Sequence, residues 1–192
     1  KVHINVEHRA SGNFFGSLKD EEKELCKILQ VANNRPVGIV LGGSYKLDRD
    51  EVETCRDMGF SFMSLYADHF PAWLLEVDGW GKMASPNYTY SDEEIFQLGK
   101  SGIDMLEASI MRPDQYGQPL LLSDLVLYKK IRSLVDIPLV IPSQKRLVPS
   151  DVKHLASVGI DAVMIGAVVT GADSAQISEA TLSFRKAVDD IG

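Results

Sequence analysis

One segment near the carboxyl end, residues 137–171, constrains the fold of this chain more than any other. The apolar run at 137–142 predicts a short strand that is buried on both faces. A polar loop follows, then a helix that starts at Pro149 and stops at Gly159, and a second apolar run predicts a strand over 161–165. Because short strand–helix–strand connections join parallel neighbours through a right-handed crossover, the segment predicts a parallel α/β fold.

The same alternation of apolar runs and capped helical patterns recurs along the rest of the chain. Strands are predicted at 2–6, 36–41, 60–67 and 103–110, with a further candidate at 80–84, and residues 10–17 are predicted to form a loop. Helices are predicted to start at Asp20, Asp50, Pro71, Ser91, Asp124 and Ser174. We therefore expect one α/β domain over 1–192.

The strand count admits two architectures. If the last strand is the eighth of a (βα)8 barrel, the strand at 2–6 is the second, and the first strand–helix unit would precede Lys1. The alternative is an open, doubly wound sheet of parallel strands. Both place the carboxyl ends of the strands, where ligands bind in parallel folds, at one edge of the sheet.

Composition limits the classes of function. The net charge is −7 and no long basic run is present, which argues against a nucleic-acid-binding face. No apolar stretch approaches the ~18 residues of a membrane span. Cys26 and Cys55 lack the spacing of a metal site and are expected to be buried, reduced thiols of a cytoplasmic protein. The sequence also lacks the dinucleotide-binding, Walker and nucleophile-elbow motifs.

Acidic and histidine side chains follow several of the predicted strands. Glu7 and His8 come directly after the first strand, and Asp68 and His69 come after the third. Such groups could act as general acids and bases, and the two carboxylates could instead ligate a divalent cation. Solvated histidines and carboxylates that bind nearby backbone amides are the structural alternatives.

Glu107 is the sharpest candidate because it lies inside an otherwise apolar predicted strand. A buried carboxylate is expensive unless it is paired or hydrogen-bonded. Its presence in a strand therefore indicates either a catalytic acid/base or a structural ion pair.

Two loops at the end of the chain are candidates for anion binding. The first follows the strand at 137–142 and contains Ser143, Gln144, Lys145 and Arg146. The second follows the last strand and contains Gly166, Thr170 and Gly171. Glycine permits close approach of backbone amides to an anion, and the two cations add charge. Lys145 could also form a Schiff base if it were desolvated.

The last strand carries a family resemblance. The stretch GIDAVMIGA at 159–167 resembles the final strand of phosphate-binding (βα)8 barrels such as indole-3-glycerol phosphate synthase, phosphoribosylanthranilate isomerase and thiazole synthase. The resemblance implies that the backbone after this strand, with a short helix, holds a phosphate. The sequence departs from the family pattern at Pro142-Ser143-Gln144, where such barrels often carry a glycine-rich turn.

These observations predict a metabolic enzyme of the lyase, aldolase or isomerase type that acts on a small anionic, phosphorylated substrate. Glu107, helped by Asp68, His69, Glu7 or His8, would transfer protons, and the two carboxyl-terminal loops would hold the anion. The alternatives are an FMN-dependent oxidoreductase, with the cofactor phosphate in the same loops, and a non-catalytic ligand-binding or assembly subunit. We also expect a homo-oligomer.

Overall fold

The computed structural model describes residues 1–8 and 12–191. Contacts within the chain divide it into two compact units: residues 1–85 with 102–104, called here the N-terminal unit, and the remainder, called the C-terminal unit. Denser contacts within two halves do not show that the halves fold separately. The single-domain prediction therefore stays a prediction.

The N-terminal unit contains a four-stranded parallel sheet and one hairpin. The sheet strands, in spatial order, are β1 (Val2–His3), β4 (Gly38–Val40), β5 (Phe62–Tyr66) and β6 (Gly81–Ser85). The hairpin pairs β2 (Val6–His8) with β3 (Asn13–Phe15) in antiparallel fashion. The helices are α1 (Leu18–Ala32) and α2 (Arg49–Asp57), with 3-10 turns at Ala67–His69 and Ala72–Glu76.

The C-terminal unit contains three parallel strands and five helices among its described residues. The strands, again in spatial order, are β7 (Met105–Glu107), β8 (Leu139–Pro142) and β9 (Ala162–Met164). The helices are α3 (Asp92–Leu98), α4 (Leu122–Arg132), α5 (Val152–Ser157), α6 (Ala167–Thr170) and α7 (Ser174–Asp189). Short 3-10 turns lie at Pro113–Gln115 and Pro149–Asp151.

The parallel pairing of β8 and β9 confirms the prediction made from the strand–helix–strand segment. Ile141 lies beside Val163 in this pair, and Pro142 lies beside Met164. Within each unit the sheet order follows the chain order, apart from the inserted hairpin. A doubly wound sheet instead reverses its order at a switch point. The order inside each unit is therefore that of a barrel-type parallel fold, and equally that of a doubly wound sheet on one side of its switch point.

Each unit has its own apolar core between its strands and its helices. In the N-terminal unit, Ile39 and Met63 of the sheet pack in one cluster with Leu25, Val52 and Cys55 of the helices. The corresponding cluster of the C-terminal unit joins strand residues to helix residues, among them Leu106, Leu139, Ile141, Tyr128, Ile131 and Leu155. Burial of apolar side chains on the helix side of a parallel sheet is the main stabilising contribution in such folds.

The amino-terminal strand differs from its prediction. The chain leaves the sheet at Asn5, whose backbone is left-handed with φ 54°, a conformation that asparagine tolerates better than most residues. Val6–His8 then forms the hairpin with Asn13–Phe15, so Glu7 and His8 lie on a hairpin strand and do not end a strand of the parallel sheet. The predicted loop at 10–17 was therefore wrong over 13–15, and residues 10 and 11 lie outside the described residues.

Three helix starts were placed one or two residues too late, at Asp20, Asp50 and Asp124, because α1, α2 and α4 begin at Leu18, Arg49 and Leu122. Ser17 caps α1, and Asp20 is the third helical residue, whose carboxylate accepts hydrogen bonds from the Ser17 amide at 3.0 Å and hydroxyl at 2.7 Å. Asp48, rather than Asp50, caps α2. The capping box predicted at Ser91 is confirmed, because the carboxylate of Glu94 accepts from the Ser91 amide at 2.7 Å.

Among the described residues, no helix has the length and apolar character needed to cross a membrane.

Candidate functional site

Glu107 lies on the face of the C-terminal sheet that points away from the helices. Leu106 and Ala108, its neighbours in the chain, both belong to the core cluster that packs on the helices. Because successive strand side chains point to opposite faces, Glu107 points the other way, beside Val140 of β8. Only 5% of Glu107 is exposed. The prediction of a largely buried carboxylate at this position is confirmed, while its role stays a prediction.

A buried amide, that of Gln144, connects the loop after β8 to the loop after β7. Its Oε1 accepts a hydrogen bond from the amide of Met111 at 3.0 Å, and its Nε2 donates to the hydroxyls of Ser109, at 2.9 Å, and Tyr116. Its backbone carbonyl also accepts from the amide of Gly117 at 2.8 Å. The side chain is therefore hydrogen-bonded to protein partners, and the expectation that Gln144 contacts a ligand stays a prediction.

Ser143 connects the loop after β8 to the loop after β9. Its hydroxyl oxygen accepts a hydrogen bond from the amide of Gly166 at 2.8 Å, and its own amide donates to the carbonyl of Met164 at 2.9 Å. The two loops predicted to hold an anion are thus held side by side. The amide of Gly166, however, already has an acceptor within the protein.

Glycine at position 166 is not required by the packing of the chain. Its backbone is extended, with φ −132°, and a Cβ there would meet only the hydroxyl oxygen of Ser143, at an ordinary 3.7 Å. Gly171 differs, because its φ of +65° lies in the left-handed region that favours glycine. Thr170 is buried and donates its hydroxyl hydrogen to the carbonyl of Gly171. Thr170 and Gly171 therefore have structural explanations, whereas Gly166 does not.

Lys145 forms a buried ion pair that the sequence did not reveal. Its Nζ lies 3.0 Å from Oδ2 of Asp124 in α4, and the side chains are only 2% and 5% exposed. The same carboxylate oxygen accepts from the amide of Leu121 at 2.8 Å, at the start of that helix. Asp124 thus already balances the charge of Lys145, and the expectation that Lys145 contacts a ligand stays a prediction.

Arg146 is the cation of this loop that remains at the surface. Its side chain is exposed, and its amide donates to the carbonyl of Gln118 at 2.9 Å. Arg112, on the loop after β7, is also exposed and pairs with Asp114 at 3.3 Å. Exposed pairs of this kind are weak, so both guanidinium groups stay accessible to an anion from solution.

The N-terminal unit contains a cluster of aromatic rings at the hairpin. The His3 ring lies 4.8 Å from that of His8, measured between centroids, and stacks on Phe15 at 5.3 Å. Burial, together with the positive charges of His8 and Lys1, lowers the pKa of His3 to about 3. Burial, followed by the charge of Lys1, also lowers the pKa of His8. Both rings are therefore neutral imidazoles at pH 7.

The remaining predicted acid/base residues lie in the same unit. Asp68 and His69 form a 3-10 turn directly after β5, as predicted, with Asp68 exposed and His69 half-buried 6.0 Å from the Tyr66 ring. Glu7 is exposed on the hairpin. Among residues 1–8 and 12–191, no group of three or more His, Cys, Asp or Glu side chains could hold a metal ion. We therefore assign no step to a metal.

The two cysteines carry no functional signal. Cys26 is exposed on α1, so the expectation that it is buried was wrong, and both thiols are free. Cys55 is buried in the core of the N-terminal unit, where burial and the charge of Glu51 raise its pKa to about 12. A thiol with such a pKa is protonated at pH 7 and is a poor nucleophile.

The structure thus connects Ser143, Gln144, Lys145 and Gly166 to neighbouring segments through hydrogen bonds and an ion pair, and these contacts also involve residues missed in the sequence. The missed residues are Ser109, Tyr116 and Asp124. Asp124 was recognised only as a helix start, and Tyr116 lay in a loop predicted simply from its polar composition. No sequence signal pairs Asp124 with Lys145 or Tyr116 with Gln144, because each contact depends on the neighbouring positions of two loops.

Comparison with solved structures identifies proteins whose parallel α/β fold is similar to that of this chain. No family model matches the sequence, and neither does any curated protein. A thiamine phosphate pyrophosphorylase from Pyrococcus furiosus superposes with a TM-score of 0.62 at 20% identity, covering 100% of this chain and 96% of that one. For 3-hexulose-6-phosphate synthase from Salmonella typhimurium the TM-score is 0.64 at 15% identity, with 88% and 81% covered.

A third similar structure is 3-keto-L-gulonate-6-phosphate decarboxylase from Vibrio cholerae, with a TM-score of 0.59, 13% identity, and 88% and 79% of the two chains covered. At such identities the likeness shows the fold alone. The fold is the parallel α/β type of TIM-barrel proteins, which confirms the fold class predicted from the sequence, and no particular family is identified.

Proposed function

We propose that this chain is an enzyme that acts on a small, anionic, phosphorylated metabolite at the carboxyl ends of its parallel strands. The reaction is of the lyase, aldolase or isomerase type. Three proteins of similar fold carry names that specify phosphorylated compounds, which supports this substrate class by analogy. The single observation that carries the proposal is Glu107, a carboxylate held nine-tenths buried at the end of β7.

In this proposal Glu107 is the general acid/base. In its ionised form the carboxylate takes a proton from a carbon next to a substrate carbonyl, and the carboxylic acid so formed returns that proton to the substrate later in the cycle. A strand position holds the group rigidly, and exclusion of water strengthens its interactions with the substrate. Asp68, His69, Glu7 and His8 remain secondary candidates for proton transfer.

The anion would be held by the loops after β8 and β9. Gly166 supports this placement, because neither its φ nor the packing of the chain requires glycine there. The remaining reason for a glycine is close approach of a ligand to the backbone. Arg146 would supply the charge at the surface of the site. Lys145 would act indirectly, since its ion pair with Asp124 fixes the loop that carries Arg146.

Two alternatives make different predictions about the purified protein. An FMN-dependent oxidoreductase would be yellow and would bind flavin through the same two loops. A non-catalytic subunit would bind a small anion without needing the carboxylate of Glu107. We further propose a cytoplasmic homo-oligomer, which sedimentation equilibrium would test.

The experiment is a screen of sugar phosphates and other phosphorylated metabolites with the wild-type chain and Glu107→Gln. Turnover by the wild type should fall at least about a hundredfold in the variant, the usual scale of general acid/base catalysis. Glu179→Gln, on an exposed face of α7, is the matched control and should retain activity. Equal turnover by Glu107→Gln and the control would overturn the assignment. Absence of turnover with retained binding would favour the non-catalytic alternative.

A further inference from the structure

The orientation of the Gln144 amide is fixed by chemistry. A backbone N–H can only donate a hydrogen bond, so the side-chain atom that lies 3.0 Å from the amide nitrogen of Met111 has to be the oxygen. The NH2 group therefore faces Ser109 and Tyr116, and it donates one hydrogen to each hydroxyl oxygen. Gln144 is buried, so its amide is held in this orientation.

This orientation decides which way the two hydroxyl groups can donate. Each hydroxyl oxygen uses a lone pair to accept from Gln144, and each hydroxyl hydrogen must then point away from the amide. Ser109 is buried, whereas 39% of Tyr116 is exposed. The phenol hydrogen of Tyr116 can therefore be donated to a molecule that arrives from solution.

The loop that carries Tyr116 is attached to the loop after β8 by backbone as well as side-chain hydrogen bonds. The amide of Gly117 donates to the carbonyl of Gln144 at 2.8 Å, and the amide of Arg146 donates to the carbonyl of Gln118 at 2.9 Å. These bonds hold the two residues that directly follow Tyr116 and thereby restrict the positions that its ring can take. A donor held in place before binding loses little entropy when it meets an acceptor.

We propose that Tyr116 is a substrate-binding residue and that Gln144 is the positioning residue that makes its phenol a hydrogen-bond donor. The acceptor is an oxygen atom of the substrate, in the carbonyl or phosphate group of a phosphorylated metabolite. This inference rests on the proposed function and adds a specificity element to it. A ligand without an acceptor oxygen at this point would leave the phenol hydrogen unpaired and would bind more weakly.

The test is a double-mutant cycle that measures the affinity of the protein for inorganic phosphate and for sugar phosphates by calorimetry. Tyr116→Phe removes only the hydroxyl group and should weaken binding about tenfold, the value of one well-made hydrogen bond. Gln144→Leu removes the donor without adding charge and should weaken binding less, because the phenol stays but loses its orientation. In the Tyr116→Phe background, Gln144→Leu should have no further effect on affinity.

A purely structural role of Gln144 would lower affinity equally in both backgrounds, and that result would overturn the positioning role. Tyr88→Phe, at another exposed tyrosine of the C-terminal unit, is the control and should bind as the wild type does. If Tyr116→Phe binds as tightly as the wild type, the substrate-binding role is wrong while the proposed function stands. If the wild-type chain binds none of the probes, the proposed function fails, and the role of Tyr116 fails with it.

The wild-type chain offers a second measurement that does not depend on the folding of any variant. With tyrosine labelled at 13Cζ, the resonance of Tyr116 should shift when phosphate or a sugar phosphate binds, because its hydroxyl gains an acceptor. The resonance of Tyr88 should not move. A saturating probe that leaves the Tyr116 resonance unchanged would overturn the inference.

Discussion

The two units of the chain stabilise buried polar groups in different ways. In the C-terminal unit, Lys145 has the carboxylate of Asp124, and Gln144 has three hydrogen-bond partners. In the N-terminal unit, His3 is kept neutral mainly by burial, and a charge on His8 or Lys1 nearby further opposes its protonation. When a charge is buried in a pair, the free energy of unfolding depends on the presence of its partner. When a histidine is buried in its neutral form, the free energy of unfolding depends on pH.

This difference has a functional side. The hydrogen bonds and the ion pair of the C-terminal unit hold consecutive loops together, as a site with a fixed geometry requires. In the N-terminal unit the His3 ring contacts those of His8 and Phe15 on the hairpin, and protonation of His3 would place a charge in this partly buried cluster. We therefore expect that mutation of a paired group destabilises the C-terminal unit, and that acid destabilises the N-terminal unit through its histidine pair.

Removal of one partner of the buried ion pair should have the largest effect. Asp124→Ala leaves the ammonium of Lys145 buried without its carboxylate and should lower the free energy of unfolding by about 3–5 kcal/mol. Urea denaturation measures this loss. The double variant Asp124→Leu with Lys145→Met should recover most of it, since an apolar pair replaces both charges. A single variant as stable as the wild type would show that the pair does not contribute.

Acid should have an intermediate effect, and it should act through His3. The unfolded chain binds a proton at His3 near pH 6.5, whereas the folded chain does so only near pH 3. The unfolded state thus binds more protons over this window, and stability falls as the pH is lowered through it. Because His3 is only partly buried, we expect a loss of about 1–2 kcal/mol.

The measurement for His3 is the midpoint of urea unfolding at pH 7 and at pH 4.5. His3→Gln should reduce the difference between the two midpoints, whereas the exposed His154→Gln should leave it unchanged. An identical pH dependence in all three proteins would assign the acid sensitivity to other groups.

The smallest effect is expected from mutation of Tyr128, whose buried hydroxyl, unlike the other buried polar groups discussed in the C-terminal unit, lacks a hydrogen bond to any described residue. Its ring is fully buried in the core, and its hydroxyl has no hydrogen-bond partner within the described part of the chain. Burial and the charge of Asp124 raise its pKa. Tyr128→Phe should change the free energy of unfolding by less than about 1 kcal/mol or increase it, because an unpaired hydroxyl is removed. Thermal unfolding would test this, and a large loss would show that the hydroxyl is satisfied in solution.

Much of the fold could be predicted because its signals are local. The helix stop at Gly159 and the apolar runs that became β8 and β9 depend on residues close together in sequence, and so does the capping box at Ser91. The errors had local causes as well. Asn5 interrupts an apparently continuous strand, and Ser17 and Asp48 are caps that lie two to three residues before the aspartates chosen from the sequence.

The candidate site was predictable only in part. The sequence identified Glu107 as an unusual carboxylate, because a charge in an apolar strand is conspicuous without any knowledge of neighbours. The sequence could not show that the side chains of Lys145 and Gln144 form an ion pair and hydrogen bonds with other residues of the protein. The partner of Lys145 is 21 residues away in the sequence, and those of Gln144 are at least 28 residues away. Contacts between side chains of such distant segments produce no periodic pattern in the sequence.

The sequence alone determined that short apolar strands alternate with capped helices, and hence that the strands are parallel, since such connections are too long for hairpins. The tertiary structure alone decided which polar groups of the carboxyl-end loops are available to a ligand. It assigned Lys145 to Asp124, Gln144 to Ser109 and Tyr116, and left Arg146 exposed. The physical reason is that a polar side chain is satisfied by whatever lies within hydrogen-bond distance, and that neighbourhood exists only once the loops are folded side by side.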